Sequence, residues 1–175
     1  MCGRMAQAPE PFALERGEGT SVWFLGTLVT IKATEENTQG SFSLIEELAP
    51  PGFGPPWHVH HEDDELFYIL EGEETFQVGE QEIRAPEGST VYAPHGIPHS
   101  YKVEGETPAR HLCLTFRPGL ENFVLEVGTP AEELTLPPDP EPTQEELEKI
   151  EDLQEKYGFE ILGPPPWDEN TEEPI

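Results

Sequence analysis

From Val22 to Phe116 the sequence is cut into short runs rich in aromatic and β-branched residues, at 22–32, 41–48, 65–70, 74–78, 90–93, 99–103 and 111–116, separated by Gly-, Pro- and Glu-rich turns. This punctuation leaves no space for a helix of ordinary length, whereas a strand crosses a sheet in about 5–6 residues. Seven or so short strands without helical periodicity predict an all-β sandwich or barrel. The run Glu65 to Leu70, then Glu71-Gly72-Glu73-Glu74, then Thr75 to Val78, has the form of a hairpin with a glycine-containing turn, and Gly79-Glu80 turns the chain again. The chain has 175 residues, enough for one ordinary domain and too few for two full ones.

Charge narrows the partners. Nine Lys and Arg stand against 36 Asp and Glu, a net −27, so a nucleic-acid backbone and an anionic membrane surface are repelled. The most apolar stretch, Val22 to Ile31, is about half the ~20 residues a membrane span needs. A single early Arg4 followed by Pro9, Glu10 and Pro11 lacks the apolar core of a secretory signal, which leads to the expectation of a cytoplasmic protein. Cys2 and Cys113 read as a terminal thiol and a buried one, in keeping with a reducing compartment.

Acidity concentrates towards the end: residues 1–131 carry 7 basic and 21 acidic groups, and 132–175 carry 2 and 15. Pro137, Pro138, Pro140 and Pro142 read as a stiff linker, dividing a β body with N-terminal strands (1–136) from an acidic helical appendage (137–175). In the appendage Thr143 and Glu146 form a capping box, and Gly158 suits a left-handed stop. Leu147, Ile150, Leu153 and Tyr157 make one apolar stripe, with Glu145–Lys149 and Asp152–Lys156 as i,i+4 pairs on the wetter side. The stripe predicts packing on the body or on a neighbouring subunit. No other segment reads convincingly as a helix.

The chemistry concentrates in two stretches. In a strand, alternate residues share a face, so His58 and His60 offer two imidazoles to one ion. The polar stretch His61-Glu62-Asp63-Asp64 reverses the chain and returns Glu65 beside them, and His99 opens another strand after Pro94-His95-Gly96-Ile97-Pro98. Burying three imidazoles and a carboxylate together without an ion costs several kcal/mol, so this grouping predicts a metal site. By strand parity Phe67 and Ile69 follow Glu65, and Tyr101 and Val103 follow His99, as an apolar, partly aromatic substrate pocket. The same reasoning makes His61 exposed, Asp63 and Asp64 a solvated turn, and His95 a surface-turn residue. It turns His111 outward, opposite an inward Leu112, Leu114 and Phe116. Cys113 shares the face of His111 and has no paired base to make it a nucleophile.

These residues resemble the cupins, small β-barrels defined by two motifs. Gly52, His58, His60, Glu65 and Gly72 match the first motif's spacing, and Gly88, Pro94, Gly96 and His99 match the second, whose closing position, usually Asn, is Val103 here. The resemblance implies a double-stranded β-helix, or jelly-roll, barrel with a short C-terminal helix, and a metal held by His58, His60, Glu65 and His99. The approach from Gly40 to Pro56, the run Glu65-Leu-Phe-Tyr-Ile-Leu-Glu-Gly and the ending Tyr157-Gly-Phe-Glu-Ile-Leu-Gly-Pro-Pro look like bacterial single-domain cupins similar to quercetin 2,3-dioxygenases. It follows as an expectation that one divalent transition ion (Fe, Mn, Ni, Co, Cu or Zn) serves a dioxygenase that opens a small enolic or phenolic, flavonol-like compound with dioxygen. Glu65 would be both ligand and catalytic base. A non-catalytic metal- or small-molecule-binding cupin and a non-redox metal-dependent isomerase are the alternatives. The resemblance also suggests a homodimer, with the 22–32 strand or the 144–157 helix at its interface.

Overall fold

The computed structural model describes residues 10–117 and 119–167; Cys2, Arg4 and Pro9 lie outside the described residues. Strands β1 (Thr20–Phe24) and β2 (Thr27–Ala33) precede a single turn of helix, α1 (Glu35–Thr38). Then come β3 (Ser43–Ala49), β4 (Trp57–His60), β5 (Asp64–Glu71), β6 (Glu73–Val78), β7 (Gln81–Pro86), β8 (Thr90–Ala93), β9 (His99–Val103) and β10 (Ala109–Phe116). Helix α2 (Leu120–Val127), β11 (Thr129–Pro130), helix α3 (Gln144–Tyr157) and β12 (Phe159–Gly163) complete the described chain. A seven-stranded sheet runs β11-β1-β2-β3-β10-β5-β8 and a five-stranded sheet runs β12-β4-β9-β6-β7. The two pack face to face: Phe67 of β5 lies 5.0 Å from Phe76 of β6 and 6.2 Å from Tyr101 of β9, ring centre to ring centre. This is the all-β jelly-roll expected, but among the described residues no ladder joins the two sheets, so the expected barrel is an open sandwich.

Several expected elements take a different form. The 22–32 run is two strands, because Leu25 and Gly26 both adopt positive φ (49° and 85°) and close a tight two-residue turn. A Cβ on Gly26 would sit 2.3 Å from the Pro140 carbonyl oxygen, so the proline-rich segment lies directly against this turn. Trp23 holds the same segment by donating its indole N–H to the Thr135 carbonyl at 2.9 Å. The expected β5–β6 hairpin has no ladder of its own: β5 pairs with β10 and β8, β6 with β7 and β9, and Gly72 carries the chain from one sheet to the other. Gly79-Glu80 does turn the chain, placing Val78 opposite Gln81.

Helix α3 has the predicted capping box at Thr143 and Glu146 and the left-handed Gly158. Glu145 pairs with Lys149 at 2.9 Å, but Lys156 goes to Glu126 instead of Asp152. Ile150 is buried while Leu147 is exposed, so only part of the stripe packs. It packs on its own chain, against α2, which sequence patterning missed. That helix has only 8 residues and no side-chain N-cap, yet it buries Phe123, Val124 and Val127. Phe123 meets Tyr157 at 5.6 Å and Phe159 at 4.8 Å. After Gly158, β12 pairs with β4, setting Phe159 opposite His60 and Ile161 opposite His58, so the C-terminal segment covers the edge of a histidine-bearing strand.

The orientation of β10 is the reverse of that expected. Ala109, His111, Cys113 and Thr115 face the interior, His111 being fully buried, while Phe116 is exposed. The leucines belong to a row across the outer face, where Leu114 is registered with Leu44 and Leu66, and Leu66 with Tyr92. No helix among the described residues is long and apolar enough to cross a membrane.

Candidate metal centre

Strand β4 presents His58 and His60 from one face, and β9 begins with His99 directly opposite His58. The imidazole centres lie 4.5 Å (His58–His99), 5.1 Å (His58–His60) and 5.7 Å (His60–His99) apart. Glu65 reaches across from β5 in the other sheet, with Oε2 2.7 Å from His99 Nε2 and Oε1 3.7 Å from His60 Nε2. One donor atom from each of these four residues falls within 4.8 Å of all the others. Donors arranged around a single transition ion at about 2.1 Å are themselves about 3–4 Å apart, so a small closure suffices.

Backbone acceptors set two of the rings. His58 Nδ1 donates to the Pro56 carbonyl at 2.8 Å and His99 Nδ1 to that of Ile97 at 3.2 Å, which turns their Nε2 atoms inward. Burial, reinforced by the neighbouring imidazoles of His99 and His60, pushes His58 down to about 3; burial likewise lowers His60. Both are therefore neutral lone-pair donors at pH 7, the state in which imidazole binds metal. Burial pushes the Glu65 carboxyl up, but the neighbouring imidazoles of His60 and His99 and the hydrogen bond from His99 outweigh it and hold Glu65 well below the usual carboxylate range. His99 moves the other way: burial lowers it, and the contact with Glu65 more than restores it. A proton thus joins His99 to Glu65 where a cation would serve. The donor set is mixed imidazole and carboxylate, able to hold a metal and free of thiolate.

Of the four expected pocket residues, Phe67 borders the cluster and Tyr101 packs behind it, ring centres 6.2 Å apart. Phe67 is 6.5 Å from the His99 ring, and Phe53 covers Tyr101 at 6.1 Å. Ile69 and Val103 are fully buried in the core. His61 is exposed, as expected. Asp64 is tied down, its Oδ1 accepting from the His95 backbone N–H at 2.9 Å and meeting His95 Nδ1 at 2.7 Å, which latches the His95 turn to the start of β5. Asp63 also departs from a solvated turn, its side chain being only 17% exposed and 3.9 Å from His60 Nδ1.

A second buried cluster was not anticipated. His111 Nδ1 lies 2.8 Å from Glu74 Oε1 and its Nε2 3.3 Å from Glu47 Oε2, while the Tyr101 hydroxyl donates to Glu47 Oε2 at 2.9 Å. Against the effect of burial, the negative charge of Glu74 with its hydrogen bond to Nδ1, and the close approach of Glu47 to Nε2, raise His111 to about 10. Burial pushes Glu47 up, but the adjacent His111 and the hydrogen bond from the Tyr101 hydroxyl bring it below its usual value. The missing signal was parity: Glu47 alternates in phase with Ile45 and Ala49, and Glu74 with Phe76. Cys113 lies beside Glu65, with Sγ 3.7 Å from Oε1, and burial raises its thiol so far that it stays protonated.

Comparison with known proteins identifies the domain. Residues 44–115 match the family model of the cupin domain. The chain carries a cupin domain. The cupin fold also appears in a Thermotoga maritima crystal structure described as a predicted oxalate decarboxylase, at a TM-score of 0.55 and 20% identity over 61% of this chain and 99% of that one. Quercetin 2,3-dioxygenase of Bacillus subtilis is 33% identical over 132 residues, 75% of this cupin and 39% of the relative. An uncharacterized Methanocaldococcus jannaschii protein is 32% identical over 76 residues, 43% of this chain and 61% of that one. The cupin thus spans less than two thirds of either curated relative's length.

Proposed function

We propose that this cupin is a metal-dependent dioxygenase that opens a small enolic or phenolic, flavonol-like compound with dioxygen, and that His58, His60, Glu65 and His99 hold its ion. The observation carrying this reading is the arrangement of Glu65: one carboxylate oxygen is engaged by His99 at 2.7 Å, while the other, Oε1, lies 3.7 Å from His60 Nε2 and accepts a long 3.7 Å hydrogen bond from the Cys113 thiol. Similarity to a quercetin 2,3-dioxygenase, at 33% identity over 75% of this chain and 39% of the relative, supports the choice of substrate class.

A bound Fe, Mn, Co, Ni, Cu or Zn ion would supply Lewis acidity to an enolic or phenolic oxygen, and the redox-active members an electron route to dioxygen. Glu65 Oε1 is the acceptor for that hydroxyl's proton, with His99 steadying Oε2. Phe67, whose ring centre lies 6.5 Å from that of His99, would form the apolar wall of the site, with Tyr101, Ile69 and Val103 packed behind it in the core.

Oxygen-electrode assays of metal-loaded protein with flavonols and smaller enols test this reading. The expected result is uptake of one dioxygen per substrate consumed. Substrate turnover without oxygen uptake would replace the dioxygenase with a non-redox isomerase. Ligand binding without turnover would leave a binding cupin.

A further inference from the structure

We propose that Asp63 is a positioning residue that orients the His60 imidazole towards the ion, an inference that rests on the metal-centre reading above. The three histidines differ in how their outer nitrogens are satisfied. Those of His58 and His99 meet backbone carbonyls at 2.8 and 3.2 Å, whereas His60 Nδ1 is buried with no hydrogen-bond partner. Leaving such a group unpaired disfavours the conformation that buries it, so the site has reason to supply an acceptor. Asp63 faces it: Oδ2 lies 3.9 Å from Nδ1, about 1 Å beyond hydrogen-bond length.

The surroundings make this closure the natural one. The turn carrying Asp63 is anchored on both sides, by the His61 N–H on the Gly158 carbonyl at 2.9 Å and by Asp64 on the His95 N–H at 2.9 Å. Side-chain rotation of Asp63 alone can therefore cover the gap. With its proton fixed on Nδ1, His60 keeps the Nε2 lone pair aimed at the space shared with Glu65 Oε1, 3.7 Å away. Outer partners of this kind commonly contribute about 10–100-fold to metal affinity.

The test is titration of metal-free protein with cobalt(II), in competition with a chromophoric chelator, for wild type, Asp63→Leu, Asp63→Ala, Asp63→Asn and Glu62→Gln. Thermal melts check folding, and Asp63→Ala stands in if the leucine variant does not fold. Loss of the acceptor in Asp63→Leu or Asp63→Ala is expected to weaken cobalt binding about 10–100-fold. Asp63→Asn retains an acceptor oxygen and recovers most of the affinity. Glu62→Gln removes a neighbouring exposed charge and leaves affinity within about twofold, which separates orientation from simple electrostatic attraction. A second readout needs no metal: the nitrogen-15 shifts of His60 should report the Nδ1–H tautomer in wild type and a mixture in Asp63→Leu. Equal cobalt affinity in wild type and Asp63→Leu, or an Nε2–H tautomer in wild type, overturns the proposal. If wild type binds no cobalt, the metal-centre reading fails, while the tautomer still reports whether Asp63 orients His60.

Discussion

Replacing His111 by leucine is expected to destabilise the cupin by about 3–5 kcal/mol, because it removes the cation between two buried carboxylates and leaves them uncompensated. In a chain of this size that lowers the melting temperature by roughly 10 °C. The effect exceeds that of any surface ion pair because Glu74 and His111 are fully buried, and no water can replace the lost contact without opening the sandwich. The same ion pair dictates a pH dependence. The folded His111 titrates at about 10, above its ordinary value, so its stabilising contribution is complete below about pH 6.5 and is lost as pH rises through about 10. Urea unfolding at pH 7 and pH 10 should show this loss in wild type and a much smaller one in His111→Leu. Adding Glu47→Gln and Glu74→Gln to the leucine variant should restore much of the pH 7 stability, since the unpaired charges are then gone. A His111→Leu protein as stable as wild type at pH 7 would show that the two carboxylates are not held as ions by His111.

Glu65→Gln is expected to fold, to retain part of its metal and to lose turnover by about 10²–10⁴-fold per bound ion, the usual span for a lost general base. An amide keeps the shape of Glu65 and an oxygen facing His99 Nε2, so packing between β5 and β9 is preserved. It cannot take up a hydroxyl proton. Normalising rate to measured ion content separates this effect from weaker metal binding. Turnover per ion equal to wild type would assign the proton to another acceptor, and the base role of Glu65 would be abandoned.

Why the four-residue cluster was legible in the sequence, and the second cluster was not, comes down to which faces of a strand are apolar. His58 and His60 alternate on a short strand, Glu65 is the second residue of β5 and His99 opens β9, each just after a turn, so pleat parity and turn position sufficed to bring them together. On β10 parity pointed the wrong way, because the more hydrophobic residues, Leu112 and Leu114, cover the outer face, and the polar His111 faces inward with two carboxylates to neutralise it. Glu47 and Glu74 do alternate in phase with buried apolar residues, but their charge makes an inward placement favourable only with His111 between them. Local signals found α3, where capping box and stop glycine are explicit, and missed α2, whose burial depends on contacts with Tyr157 and Phe159 far along the chain. They also missed β12, which exists by pairing with β4.

Elemental analysis of untagged protein, wild type beside His58→Ala, tests the central claim most directly. About one transition-metal ion per chain in wild type, lost in His58→Ala with the melting transition otherwise intact, is the predicted result. A wild-type protein that remains metal-free after reconstitution, or a His58→Ala variant with undiminished metal, would contradict it.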